Sequence, residues 1–379
     1  MAFYVAKGPP GACGAGCDSW IAVEGTVDSG AASRFRKFLR QQNGRFPIYI
    51  SSPGGNLEQA LAMGRMLREK PTVARVARTI VRECGEGDQS GEDCLKLKRS
   101  GRVLAAELSP QGAMCNSACP YLILGATTRE IPPNTVMAVH SPKVILSVKW
   151  GKPTESQRAR AVQQANAYAD RITASYLAKM GVDRGLLDVA RTVKFEAMHI
   201  LTRDEIARFG IDRRAFAETA WGFESNGRSV VNKTVVAKKN GSDSFRTTQY
   251  RLFCEGKDRV RLMVVREFDK DAAGKSSVAV VAGADKPPSF GAIPARVGPY
   301  EIWTAVVAAD AVRKWLELSR IEAGESTLMP DGKLSEAMYA IETASLDNPW
   351  SRLVASCAVV PNGAGPNTAV PKTPNASSL

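Results

Sequence analysis

Two side chains of this sequence, Ser117 and His140, are of the types that carry out nucleophilic acyl transfer. That chemistry needs a nucleophile, a base within hydrogen-bonding reach of it, and backbone N–H groups directed at the developing oxyanion. The chain has only two histidines, and the other, His199, lies in an irregular stretch. His140 closes a predicted strand over 136–140. A strand end fixes the backbone and leaves the ring facing a cleft, so His140 is a candidate base, with a purely structural histidine as the alternative.

The segments around these residues alternate between predicted strands and helices. Apolar runs predict strands over 20–27, 47–52 and 72–81, and apolar residues at helical spacing predict helices after the first two. Further helices are predicted over 116–125, 157–180 and 204–209. This order is typical of an α/β fold in which crossover helices connect the strands of a parallel sheet.

One stretch, 82–111, interrupts the alternation with charged residues and glycines. It contains Cys84 and Cys94, and we predict an insertion of about these bounds that is closed by one disulfide. The insertion lies between Gly55 and Ser117 in the sequence and is long enough to cover or reshape the cleft, which makes it a candidate lid.

The pattern changes beyond Trp221, where most segments predict strands. We therefore predict an α/β domain over 1–220 and a smaller, β-rich α+β domain over 221–360. Two helices are predicted within the second domain, near 310–318 and 334–341. Residues 361–379 are rich in Pro, Asn, Ala and Ser and are predicted to form a disordered tail.

Three motifs of the chain resemble motifs of the proteolytic subunit of Clp protease. They occur in the same order as in that family. Ser-Ser-Pro-Gly-Gly-Asn at 51–56 is similar to the family's Ser-Pro-Gly-Gly turn, whose second glycine donates an oxyanion N–H. Cys-Asn-Ser-Ala-Cys at 115–119, followed by an apolar stretch to Ala126, resembles its nucleophile helix. Ile131–Pro142 resembles its histidine strand. The likeness covers about 20–212 and ends with 201–211, which is similar to the family's last helix.

The resemblance implies a Clp/crotonase-like spiral of βαβ units in the first domain. It implies Ser117 as nucleophile, His140 as base, and the N–H groups of Gly55 and Ala118 as the oxyanion hole. The family's third catalytic residue is an aspartate. Alignment places Thr192 at that position, with Asp188 and Glu196 nearby, so both a Ser-His dyad and a triad are open.

The chain has eight cysteines, and none shows the Cys-x-x-Cys spacing of a zinc ribbon. The candidates for disulfides are Cys13, Cys17, Cys84, Cys94, Cys115, Cys119, Cys254 and Cys357. Cys115 and Cys119 pair with each other or with Cys84 or Cys94, with a redox or metal role as the alternative. A bridge between Cys254 and Cys357 would close a long loop in the second domain.

Disulfides are typical of an oxidising compartment, so we expect a periplasmic or secreted protein. The first eight residues contain no apolar core of a signal peptide, and we expect that the signal has been removed. No segment is long and apolar enough to predict a membrane span. The net charge is +13, but the basic residues are scattered, so no nucleic-acid partner is expected.

These features together predict an exported serine hydrolase, an ATP-independent peptidase acting on peptide or protein substrates. The alternative is a catalytically inactive Clp-fold binding or scaffold protein of the cell envelope. A crotonase-type acyl-CoA enzyme would use the oxyanion hole alone, and the Ser117 and His140 pair argues against it. No cofactor or metal is expected. A homo-oligomer is an option because Clp subunits assemble through the helix that follows the histidine strand, here 156–180.

Overall fold

A computed structural model of the chain describes residues 1–357 apart from positions 15, 86, 144–152, 226, 240–241, 257, 269–275, 284–286 and 292. These residues pack into two compact units. The first comprises Met1–Thr219 and Asp243–Phe245, and the second comprises Ala220–Ser242 and the described residues from Arg246 onward. The predicted tail at 361–379 lies outside the described residues. Among the described helices, none combines the length and the hydropathy that crossing a membrane requires.

The first unit is a mixed α/β structure built from short strands and helices. Its strands are β1 (Ala2–Lys7), β2 (Ser19–Glu24), β3 (Ile48–Ser51), β4 (Val73–Val76), β5 (Arg78–Val81), β6 (Leu104–Ser109), β7 (Met114–Asn116), β8 (Thr128–Glu130), β9 (Val136–Val139), β10 (His199–Ile200) and β11 (Phe216–Glu218). Its helices are α1 (Ala31–Arg40), α2 (Leu57–Arg68), α3 (Glu92–Lys98), α4 (Cys119–Ile123), α5 (Glu155–Met180), α6 (Gly185–Thr192) and α7 (Arg203–Arg208), with a 3-10 turn at Arg82–Cys84.

A large sheet organises the described part of this unit, with strands in the order β5, β6, β1, β2, β3, β4, β8. Strands β2, β3, β4 and β8 are parallel neighbours, as the βαβ pattern of the sequence predicts. Strand β6 is parallel to β1, whereas β1 is antiparallel to β2 and β5 is antiparallel to β6. The sheet is therefore mixed, because β1, which the sequence patterns did not predict, enters it in the opposite direction.

A smaller sheet has its strands in the order β10, β9, β7. Two residues predicted to be catalytic, Ser117 and His140, directly follow β7 and β9. Strands β7 and β9 are parallel, with Cys115 opposite Met137 and Asn116 opposite Ala138. The chain segments that follow these two strands leave the sheet at the same edge. In α/β proteins this carboxyl edge of parallel strands is where binding sites form.

The core of the first unit lies between the sheets and the helices. Its buried side chains include Phe35 of α1, Leu61 of α2, Leu122 of α4 and Tyr176 of α5. Helix α5 begins with a capping box in which the Thr154 side chain accepts from the backbone N–H of Gln157. Only the last third of α5 carries buried residues, so most of this long helix is exposed or half-buried.

The segment over 82–111 extends the large sheet rather than covering the cleft. Cys84 and Cys94 are bridged, with their Cα atoms 5.4 Å apart, as predicted. Strand β6, in which Leu104 and Ala106 are fully buried, lies between β5 and β1. Its inward and outward side chains alternate, so β6 is a strand of the sheet, and the prediction of a lid was wrong.

The second unit consists mainly of antiparallel strands. They are β12 (Gly222–Glu224), β13 (Val230–Lys238), β14 (Phe245–Cys254), β15 (Arg259–Glu267), β16 (Ser276–Val281), β17 (Ala295–Val297), β18 (Tyr300–Ala308), β19 (Arg320–Leu328) and β20 (Leu334–Glu342). Two helices, α8 (Ala309–Trp315) and α9 (Asp347–Ser356), accompany them. One described sheet runs β13, β14, β15, β18, β17 with β12 beside β13, and another runs β16, β19, β20.

A buried charge network links these two sheets. The guanidinium of Arg266 on β15 lies 2.7 Å from Glu301 on β18 and 3.3 Å from Glu325 on β19. Thr248 donates to the same Glu325 carboxylate at 2.7 Å. Buried charges are tolerated when they are paired and hydrogen-bonded in this way, so the network ties the sheets together in one arrangement. The unit is also closed by the Cys254–Cys357 disulfide, which the sequence predicted.

Two predicted elements differ from the structure. The stretch over 334–341, predicted to be helical, is strand β20, because Ala337, Tyr339 and Ile341 alternate on one face and pair with β19. The single strand predicted over 72–81 is two strands, β4 and β5, with a break at Ala77. After the break, the chain no longer pairs with β3 as a strand and pairs with β6 instead.

Candidate active site

Ser117 occupies a sharp turn between strand β7 and helix α4. Its backbone has a φ of 59°, and Asn134 is the one other described non-glycine residue with a positive φ. The N–H of Ser117 donates to the carbonyl oxygen of Ala138 on β9 at 2.8 Å. The sequence predicted a helix from residue 116, but α4 begins only at Cys119. Left-handed backbone is unfavourable for residues with a side chain and is common at functional sites, where the surrounding structure imposes it.

The Pro-Gly-Gly turn packs directly against the Ser117 turn. At Gly54, with a φ of +100°, a Cβ atom would lie 2.5 Å from both the Asn116 carbonyl oxygen and the Ser117 Cβ. At Gly55, with a φ of +136°, a Cβ would lie 2.3 Å from the Val27 carbonyl oxygen. Both positions therefore require glycine, for backbone conformation and for space. The two glycines let this backbone approach Ser117 closely.

Two backbone N–H groups near Ser117 have no hydrogen-bond acceptor among the described residues: those of Gly55 and Ala118. Gly55 comes just before helix α2, whose N-cap is Asn56, and Ala118 is the N-cap residue of α4. Unpaired N–H groups at helix starts favour negative charge, because the helix dipole adds to their own partial charge. The pair is suited to donate hydrogen bonds to an oxyanion.

His140 follows strand β9 and is half-buried. Its Nδ1 lies 2.8 Å from the carbonyl oxygen of Ser141. Because a carbonyl oxygen can only accept, this contact places the proton of the neutral ring on Nδ1 and leaves the Nε2 lone pair free. The ring also packs edge-on against Phe195, with centroids 5.0 Å apart and planes at 76°. The imidazole is thus held in the tautomer that a general base requires.

A single cavity of about 820 Å³ brings these groups together. Ser117, His140, Gly55 and Ala118 all line it. Its remaining lining residues are Thr26, Pro53, Gly54, Asn56, Leu57, Glu58, Tyr121, Pro142, Lys143, Ala165, Tyr168, Ala169, Asp170, Ile172, Thr173, Leu187, Ala190, Arg191, Phe195 and Met198. A largely apolar wall with a few polar groups is typical of a cavity that binds an organic ligand.

Two other titratable groups of the cavity, Tyr121 and Asp170, are less suited to proton transfer. Burial, reinforced by the charge of Asp170, raises the pKa of Tyr121 to about 12. Asp170 is paired with Arg191 at 2.6 Å, which joins helices α5 and α6 across the cavity wall. His140 is the one histidine among the described lining residues, which also include Lys143 and Glu58.

The structure does not bring the three predicted third members to the His140 ring. Thr192 donates its hydroxyl to the carbonyl oxygen of Val189, on its own helix α6. Asp188 is exposed and faces Arg184 and Arg191. None of the three, Thr192, Asp188 or Glu196, lines the cavity or hydrogen-bonds to His140 within the described residues. The ring contacts the Ser141 carbonyl oxygen instead of one of these three side chains.

Two contributors to the site were missed from the sequence. One is the backbone carbonyl of Ser141, whose contact with the His140 ring cannot be predicted from any residue type. The other is Phe195, whose aromatic type gives no signal of contact with a residue 55 positions earlier. The cysteines beside Ser117 were noticed, and the structure pairs them with each other, with Cα atoms 5.0 Å apart.

The fourth bridge joins Cys13 and Cys17, so the described cysteines form four disulfides and none is free. Within the described part of the chain, no cluster of three or more His, Cys, Asp or Glu residues is arranged to hold a metal ion.

Comparison with known proteins gives matches only among solved structures. No protein-family model matches the sequence, and no curated protein does either. An alanine mutant of the 1510-N membrane-bound stomatin-specific protease is 14% identical, with a TM-score of 0.31, over 50% of this chain and 75% of its own. ClpP1 from Listeria monocytogenes is 14% identical, with a TM-score of 0.30, over 51% of this chain and 87% of its own. Invasion associated protein b from Bartonella henselae is 11% identical, with a TM-score of 0.27, over 38% of this chain and 95% of its own.

Proposed function

We propose that this protein is a serine hydrolase, and specifically a peptidase that works without ATP. The Oγ of Ser117 attacks a carbonyl carbon while its proton passes to Nε2 of His140. The new oxyanion accepts hydrogen bonds from the N–H groups of Gly55 and Ala118. When the tetrahedral intermediate collapses, the imidazolium gives its proton to the leaving amine, and water then repeats the cycle on the acyl enzyme.

One observation carries this proposal. A nucleophile type, a base type and two unpaired backbone N–H groups line the same cavity, at the carboxyl edge of two parallel strands. The strained backbone of Ser117 adds support, because a positive φ at a non-glycine residue costs stability and persists where it has a use. The order of the three sequence motifs further supports a Clp/crotonase-like spiral in the first unit.

The base acts in a dyad in this proposal. The Ser141 carbonyl takes over one task of the usual carboxylate, which is to orient the ring and fix its tautomer. A neutral carbonyl stabilises the imidazolium less than a carboxylate does, so we expect turnover well below that of a full triad. Loss of the correct carboxylate has been worth about 10⁴ in kcat in well-studied triads.

Labelling with a fluorophosphonate probe tests the proposal. In that reaction Ser117 Oγ bonds to phosphorus, the P–F bond breaks, fluoride leaves and the hydroxyl proton goes to His140. Wild type should label, and Ser117→Ala and His140→Ala should not. His199→Ala is the matched control, because the only other histidine pairs with Glu205 at 2.9 Å and is not part of the cavity lining. Cleavage sites in an unfolded protein, mapped by mass spectrometry without nucleotide, distinguish a peptidase from another hydrolase.

The second candidate is an inactive binding or scaffold protein. One observation favours it: among the described residues, no hydrogen bond joins the Ser117 hydroxyl to His140, and no carboxylate contacts the ring. Absence of labelling at every pH between 6 and 9, with the wild-type fold intact, would establish this alternative in place of the enzyme.

We also propose an oxidising location, either the periplasm or the cell exterior. Four disulfides among the described cysteines fit that setting. A homo-oligomer that assembles through α5, as the resemblance to Clp subunits implies, is also proposed, and sedimentation at several protein concentrations would detect it. We keep 1–220 and 221–360 as the two proposed domains, the second having no assigned role.

A further inference from the structure

We propose that the Cys115–Cys119 disulfide positions the oxyanion hole by holding the Ser117 turn in its strained conformation. The inference rests on the proposed function and adds two positioning residues to it. Neither cysteine contacts a substrate in this role. They act through the backbone that lies between them.

The bridge connects strand β7 directly to helix α4, on either side of the Ser117 turn. Cys115 lies within β7, Cys119 is the first residue of α4, and only Asn116, Ser117 and Ala118 separate them. Both cysteines are fully buried in the main core, so the core immobilises the two ends of the bridge. The turn that presents Ser117 is therefore clamped at both ends.

The clamp opposes the relaxation that this turn would otherwise undergo. Ser117 has a φ of 59°, and a serine gains by rotating to a negative φ. That rotation turns everything after the Ser117 N–Cα bond, including the Ala118 N–H and the start of α4. Because Cys119 is tied to Cys115, the rotation cannot occur without displacing a buried sulfur from the core.

The hydrogen bonds of the turn do not replace the clamp. The Ser117 N–H is held by Ala138, and the Tyr121 N–H donates to the Ala118 carbonyl at 3.2 Å. The Ala118 N–H itself has no described acceptor, so no hydrogen bond fixes its direction in the absence of substrate. An oxyanion donor must be unpaired in the resting enzyme, and its orientation must come from covalent or packing constraints.

The surroundings leave little room for a loose turn. A Cβ at Gly54 would lie 2.9 Å from the Ala118 nitrogen and 2.5 Å from the Ser117 Cβ, so the two turns are in direct contact. The spacing of the Gly55 and Ala118 N–H groups is set by that contact. Misplacement of a catalytic group by 1 Å can cost about 100-fold in rate.

The chain provides a matched control in Cys13–Cys17. Both bridges have a sequence separation of 4, and their Cα distances are 5.1 and 5.0 Å. On the chain-entropy model the two loops, being of equal length, restrict the unfolded chain equally. Cys13 and Cys17 do not line the cavity, so their removal tests the loss of a small bridge without touching the Ser117 turn.

The experiment compares Cys115→Ala/Cys119→Ala with Cys13→Ala/Cys17→Ala, and neither double variant leaves a free thiol. The first readout is the kinetics of labelling by a rhodamine fluorophosphonate, in which the phosphoryl oxygen occupies the oxyanion hole. We expect the maximal labelling rate of the 115/119 variant to fall 10- to 100-fold, with the probe concentration for half-maximal rate unchanged. The 13/17 variant should label at the wild-type rate.

The second readout is hydrogen exchange of the peptide segment over 113–124, which needs no activity. In the 115/119 variant, exchange at Ser117 and Tyr121 should rise at least tenfold, and in the 13/17 variant it should not. Unchanged exchange in this segment overturns the proposal, even if labelling falls. Faster exchange with no labelling of wild type would support the clamp and refute the hydrolase. If the 115/119 variant does not fold, Cys119→Ala with Cys115→Val, which refills the buried volume, replaces it.

Discussion

The backbone N–H of Ser117 donates to the carbonyl oxygen of Ala138 at 2.8 Å, two residues before His140. This bond continues the parallel pairing of β7 and β9 by one step beyond the end of β7. It fixes the candidate nucleophile relative to the strand that carries the candidate base. The relative backbone position of the two candidate residues is thus a property of the sheet, and changes that disturb the sheet edge should affect fluorophosphonate labelling before stability.

Replacing Gly54 by alanine should nearly abolish fluorophosphonate labelling. The added Cβ would lie 2.5 Å from the Asn116 carbonyl oxygen and from the Ser117 Cβ, so either turn must move. We expect a loss of at least 100-fold in labelling rate, since both of the proposed oxyanion donors lie on the displaced turns. Gly181→Ala is the control, with a φ of +65° and nothing within 4 Å. It should label normally and lose about 1 kcal/mol of stability, and equal labelling by both variants would contradict the site.

Removing the Phe195 ring should slow labelling without unfolding the protein. The ring packs edge-on against His140 at 5.0 Å and is partly exposed, so it orients the imidazole more than it fills the core. Phe195→Ala should label several-fold more slowly, and Phe195→Tyr, which keeps the ring, should remain near the wild-type rate. Equal rates for the two variants would show that the contact is incidental.

Asp212 should make the stability of the protein fall in acid. Burial alone would raise the pKa of this carboxyl, but Arg214 and Arg203 outweigh burial and lower the pKa to about 2. A carboxylate with a depressed pKa stabilises the fold above its unfolded pKa, near 4, and this contribution is lost as the pH falls toward 2. It corresponds to roughly 2–3 kcal/mol at pH 7.

The test is chemical denaturation of wild type and Asp212→Asn across pH 2–7. The variant should be less stable at pH 7 and should show a shallower loss of stability between pH 4 and 2. Asp188→Asn removes a carboxylate that is exposed on α6 and serves as the control. An acid limb that is identical in wild type and Asp212→Asn would refute the assignment.

Lys98 should stabilise the segment over 82–111 more than any other charged residue of α3. Its ammonium is almost fully buried and lies 2.8 Å from Glu24 and 2.9 Å from the Gln89 carbonyl oxygen. Lys98→Met leaves the Glu24 carboxylate without this partner, and breaking a buried pair costs about 3–5 kcal/mol. Lys96→Met, on the exposed face of the same helix, should change the denaturation midpoint little. A similar midpoint for both variants would contradict the role of the buried pair.

Much of the first unit could be predicted from local patterns. Helices α2, α5 and α7 have clear caps and apolar spacing. The sequence Pro-Gly-Gly at 53–55 is itself typical of a turn. Strand β20 was missed because Leu334, Met338 and Ile341 fit a helical period as well as Ala337, Tyr339 and Ile341 fit a strand. Only pairing with β19, a non-local interaction, decides between the two.

The part of the candidate site that consists of chemically distinctive side chains could be predicted from the sequence. Ser117 and His140 are visible in the sequence because their side chains have distinctive chemistry. The Ser141 carbonyl is invisible, since every residue has one, and its contact depends on how the chain turns after β9. The role of 82–111 was mistaken because its charges and glycines concealed the alternation of β6, whose place between β5 and β1 is set by distant pairing.

The positions of the disulfides along the chain impose an order on their formation during synthesis. Three of the described bridges close over separations of 4, 10 and 4 residues, so both cysteines of each pair are present after only a short further stretch of synthesis. The bridge between Cys254 and Cys357 spans 103 residues. The native partner of Cys254 is therefore made only after nearly the whole second unit, and any bridge that Cys254 forms before then is non-native.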